Sequence, residues 1–244
     1  MATLNKKQII LFDLDGTITD SGEGIMNSVK YALEAFGINN HDEALLRKFI
    51  GPPLKESMHR LFGFSEEKSL EAVVKYREYF GEYGIFENRL YDGVEQMLKD
   101  LKDAGRILVL ATSKTEMYMD RILEHFGIAR YFDAAAGSLY DGSRIKKGEV
   151  VRHALELVRD GLVTHRFELN KAEKMRSGPG VEEKFLAEAV MIGDREQDIA
   201  GAKENGIESA GVLYGYGSRE ELEKAGATYI IQTVDELRNR LLGG

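Results

Sequence analysis

Two aspartates one residue apart, Asp13 and Asp15, follow the apolar run Ile9-Ile10-Leu11-Phe12 and precede Gly16-Thr17 in the stretch IILFDLDGT. In open parallel sheets, ligands sit outside the carboxyl ends of the strands, so this pair is placed to meet one. Gly16 permits a tight turn where a side chain would obstruct a ligand's approach. A second apolar run, Ile107 to Ala111, delivers Thr112, Ser113 and Lys114: two hydroxyls and an ammonium at one terminus. A third, Ala189 to Gly193, delivers Asp194, and Asp198 follows four residues later. That spacing lets both carboxylates share a helix face and support one cation. Lys147 opens a helical pattern at 147–159, from which its side chain can reach a phosphate. Each group alone has a plainer reading: aspartates that end a strand, an N-capping Thr112, a helix-capping Asp194, a solvated Lys147. Their joint appearance at successive strand ends favours a site.

The elements that must hold these residues alternate. Short runs at 9–13, 107–112, 189–193 and 209–213 are apolar throughout, as in parallel strands covered on both faces. A weaker strand pattern lies at 132–136, and Tyr229-Ile230-Ile231 reads as an edge strand. Helical patterns at 93–104, 116–126, 147–159, 196–205 and 233–242 separate them. The expected fold is therefore α/β, a doubly wound, mostly parallel sheet. Residues 20–88 break the rhythm with helical stretches near 22–36, 42–49, 53–62 and 66–83 and no convincing strand. An all-helical insert at 20–89 is expected, within a core made of 1–19 and 90–244. The polar segment 161–185, interrupted by Ser177-Gly178-Pro179-Gly180, reads as a surface excursion.

Composition narrows the function. The 244 residues are 43% hydrophobic and 30% charged, an ordinary globular mixture. No apolar run approaches the roughly 20 residues that span a bilayer, and the polar start MATLNKKQ lacks a signal-peptide core, so no membrane partner is expected. A net charge of −8 argues against nucleic-acid binding and requires local positive charge or a bound cation for any phosphorylated ligand. The absence of cysteine excludes thiolate metal sites and is compatible with a reducing, cytoplasmic location. A monomer or homodimer is expected.

The DxDGT run at 13–17, the strand ending in Thr112, the downstream Lys147 and the GDxxxD at 193–198 together resemble the four motifs of the haloacid-dehalogenase-like (HAD) hydrolases. The insert resembles that superfamily's C1 cap, nearest the phosphoglycolate-phosphatase-like group. The resemblance implies that Asp13 is a nucleophile forming an aspartyl-phosphate and that Asp15 is the acid/base. It implies Mg²⁺ held by Asp13, the Asp15 backbone carbonyl and Asp194, with Asp198 behind them. Thr112 and Lys147 would hold the phosphoryl group, with Gly16, Thr17, Ser113 and Lys114 as further phosphate or substrate contacts. In the insert, the loop Phe49 to Leu54 would face the substrate through Gly51 and Pro52. The function implied is hydrolysis of a small phosphorylated metabolite, phosphoglycolate being the family default.

Three details bear on that expectation. Lys146 competes with Lys147, and the Lys-x-Glu-Val-Val opening at 147–151 favours Lys147. Related sugar-phosphate mutases tend to carry an arginine where this chain has Leu54, which places a mutase second. Lys147 and Asp194 are 47 positions apart (194 − 147), longer than the family pattern, and the excess falls in 161–185. A non-enzymatic phospho-acceptor module is the alternative of a different class. Asp15 opposes it, because a positioned acid/base makes the phosphoenzyme turn over.

Overall fold

A computed structural model of the protein describes residues 3–39, 41–161 and 181–243. In chain order it forms Ile9–Phe12 (β1), Thr19–Asp20 (β2), Gly22–Glu34 (α1), Glu43–Leu46 (α2), Leu54–Phe62 (α3), Glu66–Tyr79 (α4) and Arg89–Leu90 (β3). There follow Val94–Asp103 (α5), Ile107–Thr115 (β4), Glu116–His125 (α6), Ala134–Ser138 (β5), Lys147–Arg159 (α7) and Val181–Ala187 (α8). The chain ends with Ala189–Gly193 (β6), Glu196–Glu204 (α9), Glu208–Val212 (β7), Arg219–Ala225 (α10), Tyr229–Ile231 (β8) and Val234–Leu242 (α11). Two compact units result: Met1–Ile18 with Leu90–Gly244, and Thr19–Arg89.

The first unit carries a six-stranded sheet in the order β5-β4-β1-β6-β7-β8, parallel at every pairing. All four residues of β1 are buried, which is why the strand is apolar without alternation. Ile9 and Leu11 join Val109 and Ala111 of β4 and Val150, Val151 and Ala154 of α7 in one core cluster. Ile10, Phe12, Leu108 and Leu110 are buried as well. Each such side chain contributes about 1.5–3 kcal/mol by leaving water. The chain winds outward from β1 through β4 to β5, crosses back to β6, and winds out again to β8. Strand order therefore reverses beside β1, where parallel sheets bind ligands.

Register sets the height of the polar residues. Phe12 pairs with Leu110 on one side and Ile192 on the other. Asp13 is thus level with Ala111 and Gly193, and Thr112 and Asp194 lie one residue further out. Three strands deliver their polar residues to one edge.

The second unit is helical. Ser65 N-caps α4 by accepting the Lys68 amide, and the Lys68 ammonium lies 4.1 Å from the centre of the Phe64 ring. Phe64 in turn tilts against Phe36 and Phe62, at 5.3 and 6.1 Å between ring centres.

Strands at 189–193 and 229–231 and helices at 147–159 match their expected bounds. Others differ for identifiable reasons. β4 runs on to Thr115, past the expected end at 112, because its pairing with β5 resumes at Thr115–Ser138 after a register shift. The strand expected at 132–136 is displaced to Ala134–Ser138, since a 3₁₀ turn at Ala129–Tyr131 occupies the approach. In the insert, the helix expected over 42–49 divides into α2 and a 3₁₀ turn, and the one over 66–83 ends at Tyr79 before a π turn. The expectation of an all-helical insert at 20–89 needs a small correction: β2 and β3, which include its end residues Asp20 and Arg89, form a two-stranded sheet too short for any periodic signal. Arg89 and Asp20 form an ion pair there at 2.6 Å. Of the segment 161–185, read as a surface excursion, residues 162–180 lie outside the described residues, and 181–185 belong to α8.

Candidate active site

Asp13 leaves β1 with its amide donated to the Ile192 carbonyl at 2.9 Å, so the β1–β6 pairing fixes its backbone. Its Oδ1 lies 2.5 Å from the Lys147 Nζ. Lys147, the first residue of α7, also reaches the Asp198 Oδ1 at 2.7 Å. All three residues are buried. Lys146 is exposed, with its amide on Glu149. The ammonium at the centre of the site is therefore Lys147.

Asp194 follows β6 and is fully buried, with Oδ2 accepting the Tyr216 amide at 2.7 Å. Its Oδ1 finds no hydrogen-bond partner among the described residues. Asp198, in the first turn of α9, accepts the Arg195 amide at 3.0 Å through Oδ2. Carboxylate oxygens of Asp13, Asp194 and Asp198 fall within 4.8 Å of one another. One ammonium faces three buried carboxylates, which leaves an excess of two negative charges.

The energetics reflect that excess. Burial pushes the Asp13 carboxyl up to about 6, with Asp198 and Asp15 adding to the effect and Lys147 opposing it. Burial, then Asp198 and Asp13, hold the Asp194 carboxyl well above the usual carboxylate range. Burial alone would lower Lys147, but Asp13 and Asp198 outweigh it and keep the ammonium charged. A divalent cation with a preference for oxygen ligands offsets such a cluster, and the donor set contains no nitrogen or sulfur competitor. The site fits Mg²⁺.

The remaining strand-end residues gather at the same edge. Asp15 pairs with Lys114 at 3.1 Å, and its Oδ1 is buried without a partner among the described residues. Gly16 has φ +85°, and a Cβ there would stand 2.2 Å from the Asp194 Oδ2. Thr17 is fully buried with an unpartnered hydroxyl among the described residues. The buried Thr112 hydroxyl accepts the Lys114 amide at 3.2 Å, leaving its own proton to donate. Ser113 lies between these two on the irregular stretch of β4. Gly51 and Pro52 belong to the other unit, between the 3₁₀ turn Arg47–Phe49 and α3.

Residues 10–158 match the haloacid dehalogenase-like hydrolase family, and residues 163–237 match a second, HAD-hydrolase-like family. The chain belongs to the haloacid dehalogenase-like hydrolases. A 5′-nucleotidase of Pseudomonas aeruginosa is 40% identical over 232 residues, covering 95% of this chain and 94% of the relative. The tyrosine-protein kinase PtkA of Mycobacterium tuberculosis is 37% identical over 236 residues, covering 96% and 72%. A phosphoglycolate phosphatase of Colwellia psychrerythraea is 28% identical over 243 residues, covering 96% of each. Among solved structures, a predicted phosphatase from Clostridium acetobutylicum superposes with a TM-score of 0.83 at 45% identity, over 98% of this chain and 99% of the other. This HAD hydrolase is a phosphatase. No helix among its described residues is long and apolar enough to cross a membrane.

Two features of the HAD site lay beyond the sequence reading. Lys114, expected on the phosphate, is paired with Asp15. The loop after β7, Tyr214 to Gly217, reaches the site through the Tyr216 amide and went unnoticed, although its alternating glycines follow an apolar strand. Tyr214 donates its hydroxyl to the Thr17 carbonyl at 3.2 Å, and burial together with Asp194 pushes the phenol up, so it stays protonated.

Proposed function

We propose that this phosphatase is an Mg²⁺-dependent phosphomonoesterase that hydrolyses a small phosphorylated metabolite through an aspartyl-phosphate on Asp13. The observation that carries the reading is the buried cluster of Asp13, Asp194 and Asp198 against the single ammonium of Lys147. Asp13 attacks phosphorus with one carboxylate oxygen while the bond to the leaving alcohol breaks. Asp15 gives that alcohol a proton, then takes one from the water that attacks the same phosphorus and releases inorganic phosphate from Asp13. Lys147 and the Thr112 hydroxyl hold the equatorial oxygens, and the Gly16 amide and the Thr17 and Ser113 hydroxyls complete the cradle, with Lys114 beside them on Asp15. Asp13, Asp194 and the Asp15 carbonyl would hold Mg²⁺, with Asp198 fixing Lys147 behind them. The cation supplies charge neutralisation between an anionic nucleophile and an anionic substrate. For Gly51 and Pro52, contact with the leaving group rests on the resemblance of the insert to a cap.

Substrate class follows from similarity and ranks nucleoside 5′-monophosphates ahead of phosphoglycolate, since the 5′-nucleotidase relative is 40% identical and the phosphoglycolate phosphatase 28%. Phosphate release is measured across both compounds and a panel of sugar phosphates, with Mg²⁺ and with a chelator. Mg²⁺-dependent release from at least one of them is expected, and none with chelator. Turnover that needs a bisphosphate primer and releases no phosphate would identify a mutase. A phosphoenzyme stable for hours would identify a phospho-acceptor.

Metal binding has its own signature. In the metal-free protein, the Asp13 carboxyl is raised from 3.8 to about 6, so ionising it costs the fold stability as pH rises through that window. Mg²⁺ requires the ionised form, and its stabilisation grows over the same range. At a concentration of about 100 times Kd, Mg²⁺ contributes about 2.7 kcal/mol, or ~5–10 °C in Tm for a chain of this size. Thermal unfolding is expected to show that shift at pH 8 and a smaller one at pH 5. Equal shifts at both would contradict the assignment of Asp13 to the cation.

A further inference from the structure

The loop that leaves β7 belongs to none of the four strand-end motifs, yet it presses on two of them. Its Tyr216 amide occupies the Asp194 Oδ2, so the buried Oδ1 is the oxygen left to face a ligand. A Cβ at Gly215 would stand 2.2 Å from the Gly16 carbonyl oxygen and 2.4 Å from the Asp194 Cβ. At Gly217 it would stand 1.8 Å from the Asp194 carbonyl oxygen. Only a chain without side chains at these two positions comes so close. Tyr214 connects the loop to the Asp15–Thr17 turn through its hydroxyl on the Thr17 carbonyl, at 3.2 Å. Its ring is held edge-on by Tyr91, 5.1 Å between centres, and the Tyr91 amide is donated to the Ile18 carbonyl at 3.2 Å.

The loop therefore touches Asp194, one of the groups that would supply oxygen to the cation, and the Gly16 and Thr17 carbonyls, just beyond a second such group, the Asp15 carbonyl. A small, hard cation that demands near-octahedral geometry gains most when those oxygens are already in register. We propose that Tyr214 is a positioning residue for the cation: by holding the Thr17 carbonyl, its hydroxyl keeps the Asp15–Thr17 turn in register with Asp194. The inference rests on the cation reading above and adds to it a residue that touches neither metal nor substrate.

Calorimetric titration of Mg²⁺ into the purified full chain tests it, with metal-free thermal unfolding and with kcat and KM at saturating Mg²⁺. Tyr214→Phe removes the hydroxyl and keeps the ring against Tyr91. It is expected to weaken Mg²⁺ binding by about 3- to 10-fold, the range set by loss of one hydrogen bond. KM at saturating Mg²⁺ is expected to stay within about twofold of wild type. Gly215→Ala is expected to weaken Mg²⁺ binding by more than about 10-fold, because the methyl group displaces the Asp194 side chain. Should that variant fail to fold, Tyr214→Phe decides alone. A Tyr214→Phe protein that unfolds at lower temperature yet binds Mg²⁺ as wild type does would show a merely structural hydroxyl and overturn the proposal. Wild-type protein that binds no Mg²⁺ would instead overturn the cation reading, and the proposal with it.

Discussion

Replacing Asp13 by Asn is expected to lower kcat by at least about 10⁴-fold, the scale on which removal of a nucleophile acts. It is also expected to leave the fold intact. The two side chains have the same shape, and the apolar residues of β1 carry the packing. The charge that is lost sits where burial and two neighbouring carboxylates disfavour it, which is what the raised Asp13 carboxyl reports. Lys147 keeps Asp198 as a partner at 2.7 Å. Metal-free Asp13→Asn protein is therefore expected to unfold at or above the wild-type temperature, with a smaller Mg²⁺ shift. Phosphate release and thermal unfolding on the same preparation check both halves. Activity within tenfold of wild type would remove Asp13 from the chemistry.

Replacing Lys147 by Met has the opposite signature: activity and stability fall together. Among the described residues the ammonium alone pairs with the buried oxygens of both Asp13 and Asp198, so its loss leaves two buried carboxylates uncompensated beside Asp194. Breaking a buried pair from one side costs about 3–5 kcal/mol, or ~6–20 °C in Tm for a chain of this length. Loss of a preorganised charge facing the phosphoryl oxygens costs a further factor of about 10²–10³ in kcat. Mg²⁺ is expected to stabilise this variant more than wild type, because the dication then faces three carboxylates with no ammonium among them. Lys146→Met, at an exposed position one residue away, is the control, with a change within about 0.5 kcal/mol. A Lys147→Met protein as stable as the Lys146→Met control would contradict the charge balance described for the site.

The contrast between those neighbouring lysines shows what was legible in the sequence. The Lys-x-Glu-Val-Val pattern already favoured Lys147, since a helix opening on an apolar face turns its first residue inward. The strands beginning at 9, 107 and 189 were legible because a strand buried on both faces is apolar without interruption, and its end is marked by the first polar residue. Parallel register then made Asp13, Thr112 and Asp194 neighbours. The continuation of β4 to Thr115 was not legible, because it depends on pairing with Ser138 across a register shift. The α10 helix was legible but passed over: Ser218 caps it by accepting the Glu221 amide, a serine three residues before a glutamate. The pairing of Lys114 with Asp15, and the contact of Tyr216 with Asp194, join residues distant in the chain, and no local pattern announces either.

The central claim is that phosphate passes through Asp13. Its most direct test is to quench the reaction in acid before the first turnover is complete, reduce with borohydride, and map the peptides by mass. An acyl phosphate is reduced to the alcohol, so the peptide containing β1 is expected to carry homoserine at position 13, only when substrate and Mg²⁺ were both present. Homoserine at another aspartate, or a burst of phosphate with residue 13 unchanged, would contradict the account.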